Sequence, residues 1–165
     1  MIVIQSSRLQ LSQFQMPDAE EVFGCITPAI TKFMQWEPPQ SLSEYKVLRE
    51  KRLQAKDRND FSFVIRRCDN MECLGIAGLD DANAPSPELG VWIKEAAHGH
   101  GYGREAARAV AEWASKAFGK ESFVYPVAVQ NIPSRRIAEA LHGEIIGTRT
   151  NPKYNSVVYK IPWKV

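Results

Sequence analysis

His98-Gly99-His100-Gly101-Tyr102-Gly103-Arg104-Glu105 is the stretch on which the reading of this chain turns. Three glycines at alternate positions allow positive φ and bring several backbone N–H groups near a ligand with no Cβ in the way. Before the turn, Glu88-Leu89-Gly90-Val91-Trp92-Ile93 has strand character. After it, Ala107, Val110, Ala111, Ala114 and Phe118 recur at helical spacing, with Arg104, Arg108 and Glu112 on another face. A strand, a glycine turn and a long amphipathic helix in that order put unpaired N–H groups and the positive end of the helix dipole at the turn. Such a turn suits phosphate oxygens, and a pyrophosphate fits it.

Two nucleotide-binding signatures do not account for the turn. A P-loop requires G-x-x-x-x-G-K-[ST], and no lysine followed by Ser or Thr comes after these glycines. A dinucleotide fingerprint requires G-x-G-x-x-G after the first strand of a parallel βαβ unit, whereas this turn reads G-x-G-x-G and follows a meander. A plain helix start is the remaining alternative, although three glycines in five residues carry an entropic cost that capping does not require.

Outward from the turn, residues 8–14 alternate polar and apolar side chains as a strand does. Pro17-Asp18-Ala19-Glu20-Glu21 opens a helix, and a second short helix carries Ile30, Phe33 and Met34. Pro38-Pro39 ends that pattern, and Ser41-Leu42-Ser43-Glu44 has capping-box spacing for a charged helix to about Asp57. Residues 61–67 and 72–79 read as a hairpin turning at Asp69-Asn70, with 88–93 as a third antiparallel strand. Beyond the long helix come a strand over 123–129, a helix over 134–141 and strands over 144–149 and 156–161. Pro126 lies inside the first of these strands; proline cannot donate to a ladder and belongs at an edge, a bulge or a place where pairing stops. This order indicates an α+β sheet with helices on its faces, and the absence of repeats or linkers indicates a single domain over 1–165.

With 165 residues, 44% hydrophobic and a net charge of +2, the chain has the composition of a soluble globular domain. Near charge balance argues against a nucleic-acid partner, and no apolar run is long enough to span a membrane. Cys25, Cys68 and Cys73 cannot all pair with one another, and Met1-Ile2-Val3-Ile4-Gln5 lacks the features of a leader, so a cytoplasmic location with reduced thiols is expected. His98-x-His100 could be a metal pair, but no third ligand stands at suitable spacing, and no metal is expected.

The ordered set of strand 88–93, the turn from His98 to Ala106, and Asn131-Ile132-Pro133-Ser134 resembles the GNAT N-acetyltransferase superfamily, most closely its RimJ/RimL-like branch. The resemblance spans nearly the whole chain. It implies a mixed, mostly antiparallel sheet splayed at a cofactor cleft with helices on both faces, acetyl-CoA as cosubstrate, and a primary amine as acceptor. A protein N-terminal α-amine is the branch-level expectation, with a small amine, polyamine or antibiotic as the alternative, and the protein acting as monomer or homodimer. The family turn reads R/Q-x-x-G-x-G/A; His98 occupies its first place, and Arg104 stands where branch members often have Thr. By this resemblance the Trp92 and Ile93 backbone meets pantetheine. His98, Gly99, His100, Gly101, Tyr102, Gly103 and Arg104 meet the pyrophosphate, Asn131 lies against the cofactor and Ser134 near its sulfur. A guanidinium matches phosphate geometry, so Arg135 or Arg136 either pairs with the ribose phosphate or belongs to a solvated helix face.

Acetyl transfer to an amine requires a neutral nucleophile, a stabilised oxyanion and a proton for the departing thiolate. The resemblance makes Glu88 the general base and Ser134 the proton relay. An α-amine has a pKa of about 7.7–8.0 and a lysine about 10.4, so a base matters more for a side-chain amine. Structural alternatives stand beside these roles: Glu88 as a solvated charge, Trp92 as core, Asn131 and Ser134 as helix caps. Met34, Trp36, Pro38 and Pro39 either wall the acceptor site or pack the core. A non-catalytic acyl-CoA sensor and a dinucleotide-dependent oxidoreductase are the competing functional classes.

Overall fold

The computed structural model describes residues 1–55 and 59–164. Eight strands form one sheet in the order β1-β2-β3-β4-β5-β6-β8-β7. The strands are β1 (Val3–Gln5), β2 (Leu9–Gln13), β3 (Phe61–Arg67), β4 (Cys73–Asp80), β5 (Glu88–Ile93), β6 (Ser122–Ala128), β7 (Glu144–Thr150) and β8 (Asn155–Pro162). The helices are α1 (Ala19–Gly24), α2 (Pro28–Thr31), α3 (Leu42–Gln54), α4 (Tyr102–Phe118) and α5 (Ile132–Ala140). Every neighbouring pair is antiparallel except β5 and β6, which run parallel.

Local chemistry explains most boundaries. Ser41 caps α3 by accepting the Glu44 amide at 3.1 Å, while the Glu44 carboxylate receives the Gln40 amide. The expected end of that helix near Asp57 lies outside the described residues. The β3–β4 hairpin turns where Asn70 accepts the Glu72 amide and Met71 takes φ 59°. Gly119 closes α4 in the left-handed conformation, and His142 does the same beyond α5.

Two differences from the sequence reading concern the N-terminal third. Val3–Gln5 adds a three-residue edge strand, too short for its alternation to signal a strand. The second helix stops at Thr31, leaving Phe33 and Met34 in the turn that follows.

Side-chain alternation divides the core between the two sheet faces. On one face Leu11, Phe63, Leu79, Leu89, Ile93, Tyr125 and Tyr159 pack beneath α4 and α5, whose small residues Ala106, Ala107, Ala111, Ala114 and Ala138 permit close approach. On the other, Val64, Ile76 and Trp92 pack against Val22 of α1 and Tyr45 of α3. Helices therefore cover both faces. The three cysteines are free, with the buried Cys25 and Cys73 sulfurs 3.9 Å apart.

Candidate active site

The parallel junction of β5 with β6 opens almost as soon as it forms. Glu88 pairs with Val124, whose amide donates to the Pro87 carbonyl at 3.0 Å, and no further register is made among the described residues. Two residues along β6, Pro126 occupies the next position facing β5 and has no N–H to offer, which explains where the ladder stops. Pro126 remains in register with Val158 of β8, so the strand itself continues.

The same alternation settles which β5 backbone groups face the opening. The Lys94 amide donates to Leu74 at 2.7 Å, and the Trp92 carbonyl lies against Gly75, where a Cβ would collide with it. Backbone groups at Trp92 and Lys94 are thus turned to β4, and those at Val91 and Ile93 to the cleft. The expectation that the Trp92 main chain lies open is corrected accordingly: it belongs to the β4 ladder, and the backbone groups beside those of Ile93 at the opening are those of Val91, which motif matching missed.

Past Ile93 the chain enters the glycine turn. Gly99 and Gly101 have φ of 82° and 77°. The first α4 amide with a carbonyl partner among the described residues is that of Glu105, which donates to Gly101 at 3.1 Å, so the N–H groups of Tyr102, Gly103 and Arg104 precede the ladder. A Cβ on Gly99 would meet only open space, consistent with a surface a ligand can approach. At Gly103 a Cβ would lie 2.9 Å from Ile137 Cδ1, the movable end of a side chain where α4 and α5 meet. His98 donates its amide to Glu95, and its ring Nε2 lies 2.6 Å from the Ile93 carbonyl, fastening the turn to β5. The His100 ring packs at 5.6 Å from that of Tyr102, and Arg104 is exposed.

The turn is also braced by a distant segment. Arg8 joins Glu105 through Nε at 2.8 Å and through its backbone N–H at 2.7 Å, donates Nη1 to the His100 carbonyl at 2.8 Å, and lays its guanidinium 4.6 Å from the Tyr102 ring centroid. Ser6 Oγ adds a third donor to Glu105. Nothing in the motif around the glycines points to residue 8.

Across the cleft, Asn131 accepts the Ser134 amide at 3.4 Å as an N-cap, while Ser134 Oγ lies 2.7 Å from the Tyr125 hydroxyl. Capping and a poised hydroxyl thus coexist here. Burial pushes the Tyr125 phenol up to about 12, and the Ser134 hydrogen bond acts the other way. Tyr125 was missed because its partner lies on another element. Arg135 is turned elsewhere: its Nε donates to Tyr159 at 3.1 Å and its Nη1 to the Val129 carbonyl at 3.2 Å, tying α5 to β8.

Glu88 starts β5 on the face opposite α4 and accepts Arg149 Nη1 of β7 at 3.0 Å through one carboxylate oxygen. Beside it, Asp80 is held by Arg52 at 2.8 Å. These groups line a cavity of about 580 Å³ that also takes in Met34, Trp36, Pro39, Trp92, Asn131 and Ser134. Lys153, between β7 and β8, bonds Glu37 of the cavity lining and the carbonyls of Thr31 and Trp36. The candidate base and the candidate hydroxyl therefore share one cavity. Among the described residues no cluster of His, Cys, Asp and Glu could hold a metal ion, and no helix is long and apolar enough to cross a membrane.

The fold has solved counterparts. A GNAT-family acetyltransferase from Bacillus anthracis is similar in structure with a TM-score of 0.81 at 19% identity, covering 98% of each chain. A GCN5-related N-acetyltransferase from Brucella melitensis gives 0.80 at 16% identity over 98% of this chain and 78% of that one. RimL, a ribosomal L7/L12 alpha-N-protein acetyltransferase in complex with coenzyme A, gives 0.80 at 17% identity over 98% of each. No curated protein matches by sequence. At these identities the solved structures establish the fold, and the family follows from the match of residues 8–144 to the acetyltransferase (GNAT) domain. With an open β5 edge, a glycine turn at the head of α4 and that match over most of its length, the chain belongs to the GNAT acetyltransferase family.

Proposed function

We propose that this protein transfers an acetyl group from acetyl-CoA to the α-amine of a peptide or protein N-terminus, by direct attack within a ternary complex, as a single cytoplasmic domain. The observation that carries the choice of acceptor is the charge state of the cavity. Its carboxylates already have partners: Glu88 with Arg149, Asp80 with Arg52, Glu37 with Lys153. A polyamine or aminoglycoside needs spare anionic groups, whereas a chain terminus needs an apolar wall, which Met34, Trp36 and Trp92 supply. RimL, of like fold, acts on a protein α-amine, which supports the same reading.

Acetyl-CoA supplies the thioester that an amine can attack. The residues present fit it. Val91, with its backbone groups, and Ile93, with its N–H while His98 holds its carbonyl, form an open strand edge to which the pantetheine amides add as a strand would. The N–H groups from Gly99 to Arg104 would hold the diphosphate, with the α4 dipole favouring negative charge there. Asn131 sets the start of α5 so that Ser134 faces the cleft. Glu88 takes the proton from the amine through its oxygen not engaged by Arg149. Ser134, backed by a Tyr125 phenol that stays protonated at neutral pH, delivers a proton to the departing sulfur.

Calorimetric titration with acetyl-CoA, followed by release of free CoA in the presence of a peptide and amine panel, tests the proposal. Binding with turnover on peptide termini supports it. Binding without turnover on any amine would make the protein an acyl-CoA sensor, and NAD binding in place of acetyl-CoA would make it a dinucleotide protein. Preferential turnover of polyamines would replace the acceptor class.

A further inference from the structure

One cation in the acceptor cavity stands apart from the paired charges. Arg49, on α3 one turn before Arg52, lines both this cavity and the adjoining one walled by Gln13 and Phe14. Arg52 is matched by Asp80 at 2.8 Å and by Asp60 at 4.0 Å. Among the described residues no carboxylate pairs with Arg49, its Nε is buried with no hydrogen-bond partner, and its guanidinium lies 3.9 Å from the centroid of the Phe14 ring. Burying a cation without a counter-charge is costly, and an aromatic face offsets only part of that cost. Consistent with this, burial lowers the Arg49 pKa, with Tyr45 acting against it and the like charge of Arg52 in the same direction.

We infer that Arg49 recognises an anionic side chain of the acceptor, which makes the preferred substrate an N-terminus followed within the next two residues by Asp or Glu. The inference deepens the proposed function and rests on it. The layout gives the reach. Asp80 is directly opposite Glu88 in the β4–β5 register, Arg52 holds Asp80, and Arg49 is one helical turn further along α3. With its amine at Glu88, an acceptor extends by about 3.3–3.6 Å per residue, so its second and third residues are the ones the inference assigns to the guanidinium. A carboxylate arriving there would complete the unmatched cation with a charge-assisted hydrogen bond, and the planar fork of Arg49 suits it. The uncharged isostere would leave the guanidinium unmatched, so the selectivity comes as much from rejecting the amide as from attracting the acid.

The test uses peptide pairs that differ only by Asp against Asn, or Glu against Gln, at the second or third residue, with kcat/KM measured for the wild type, Arg49→Gln and Arg49→Lys. The expected result is a preference for the acidic peptide of about tenfold or more in the wild type. It should fall to near one in Arg49→Gln and be partly restored in Arg49→Lys. Because the readout is a ratio within one preparation, loss of folded protein in a variant does not move it. If Arg49→Gln cannot be purified, calorimetric binding of the two peptides to the wild-type CoA complex decides between the same outcomes. Equal wild-type rates or affinities for acid and amide overturn the inference, as does an Arg49→Gln ratio equal to that of the wild type. Acetylation of both peptides at one rate would remove only the role of Arg49. Failure to acetylate any amine while acetyl-CoA binds would remove the proposed function, and this inference with it.

Discussion

Arg8 and Glu105, 97 residues apart in the chain, are joined by two hydrogen bonds, side chain to side chain at 2.8 Å and main chain to side chain at 2.7 Å. Through this contact the start of β2 holds the first turn of α4, and Arg8 reaches on to the His100 carbonyl inside the glycine turn. Replacing Arg8 by Ala, or Glu105 by Gln, should weaken CoA binding by about tenfold, the scale of one or two charge-assisted hydrogen bonds. Calorimetry on both variants checks this, and wild-type affinity in both would show that the turn keeps its shape unaided. Burial works against the Glu105 carboxylate, but hydrogen bonds from the Arg8 amide, Ser6 and the Arg8 guanidinium outweigh it and hold its pKa below the usual range. A depressed carboxylate contributes stability that is complete above its unfolded pKa and is lost as pH falls through the folded one. The difference in thermal stability between wild type and Glu105→Gln should therefore be full at neutral pH and shrink in acid, below about pH 4.3.

Gly101 and Gly103 should separate into two phenotypes. At Gly101, φ of 77° makes alanine strained by about 1–2 kcal/mol, and the distortion falls on the turn, so CoA affinity drops. Gly103 is helical, and the atom a Cβ would meet there, Ile137 Cδ1 at 2.9 Å, is the movable end of a side chain, so Gly103→Ala should keep the melting temperature at or above that of the wild type. Wild-type CoA affinity in Gly101→Ala, or a clear loss of stability in Gly103→Ala, would contradict the assignment.

Glu88→Gln should reduce turnover roughly a hundredfold while leaving CoA affinity close to wild type, the usual scale for a general base. The deficit should be largest at low pH, where more of the amine awaits deprotonation. Unchanged rates across the pH range would remove Glu88 from the reaction.

Tyr125 stays protonated until about pH 12, because burial disfavours the phenolate. Any alkaline limb of the rate profile below pH 10 must then belong to another group, and should persist in Tyr125→Phe even as the rate falls through loss of the Ser134 partner. A limb that vanishes in Tyr125→Phe would contradict this. For a phenol whose folded pKa is raised, the contribution to stability is complete below the unfolded pKa and is lost as pH climbs from about 10 to about 12.

The sequence shows most clearly what is local. The strand at Glu88–Ile93 has the expected bounds, the helix after the glycines runs from Tyr102 to Phe118, and Pro126 marks where β5 and β6 part. The insertion of β8 between β6 and β7 is a matter of long-range pairing that no single segment encodes. Orientation along β5 was hidden for the same reason: whether Trp92 or Val91 faces the cleft depends on the β4 register, and a shift of one residue exchanges them. The Tyr125–Ser134 pair, the Arg8–Glu105 brace and the unmatched Arg49 join residues from different elements, and their residue types alone do not announce them. The bond from Arg135 to Tyr159 is likewise invisible in the motif that contains Arg135.

A crystal structure with CoA tests the central claim most directly. The account predicts diphosphate oxygens within about 3 Å of backbone nitrogens between Gly99 and Arg104, with the pantetheine arm along Val91 and Ile93. A diphosphate seated anywhere else on the protein would contradict it.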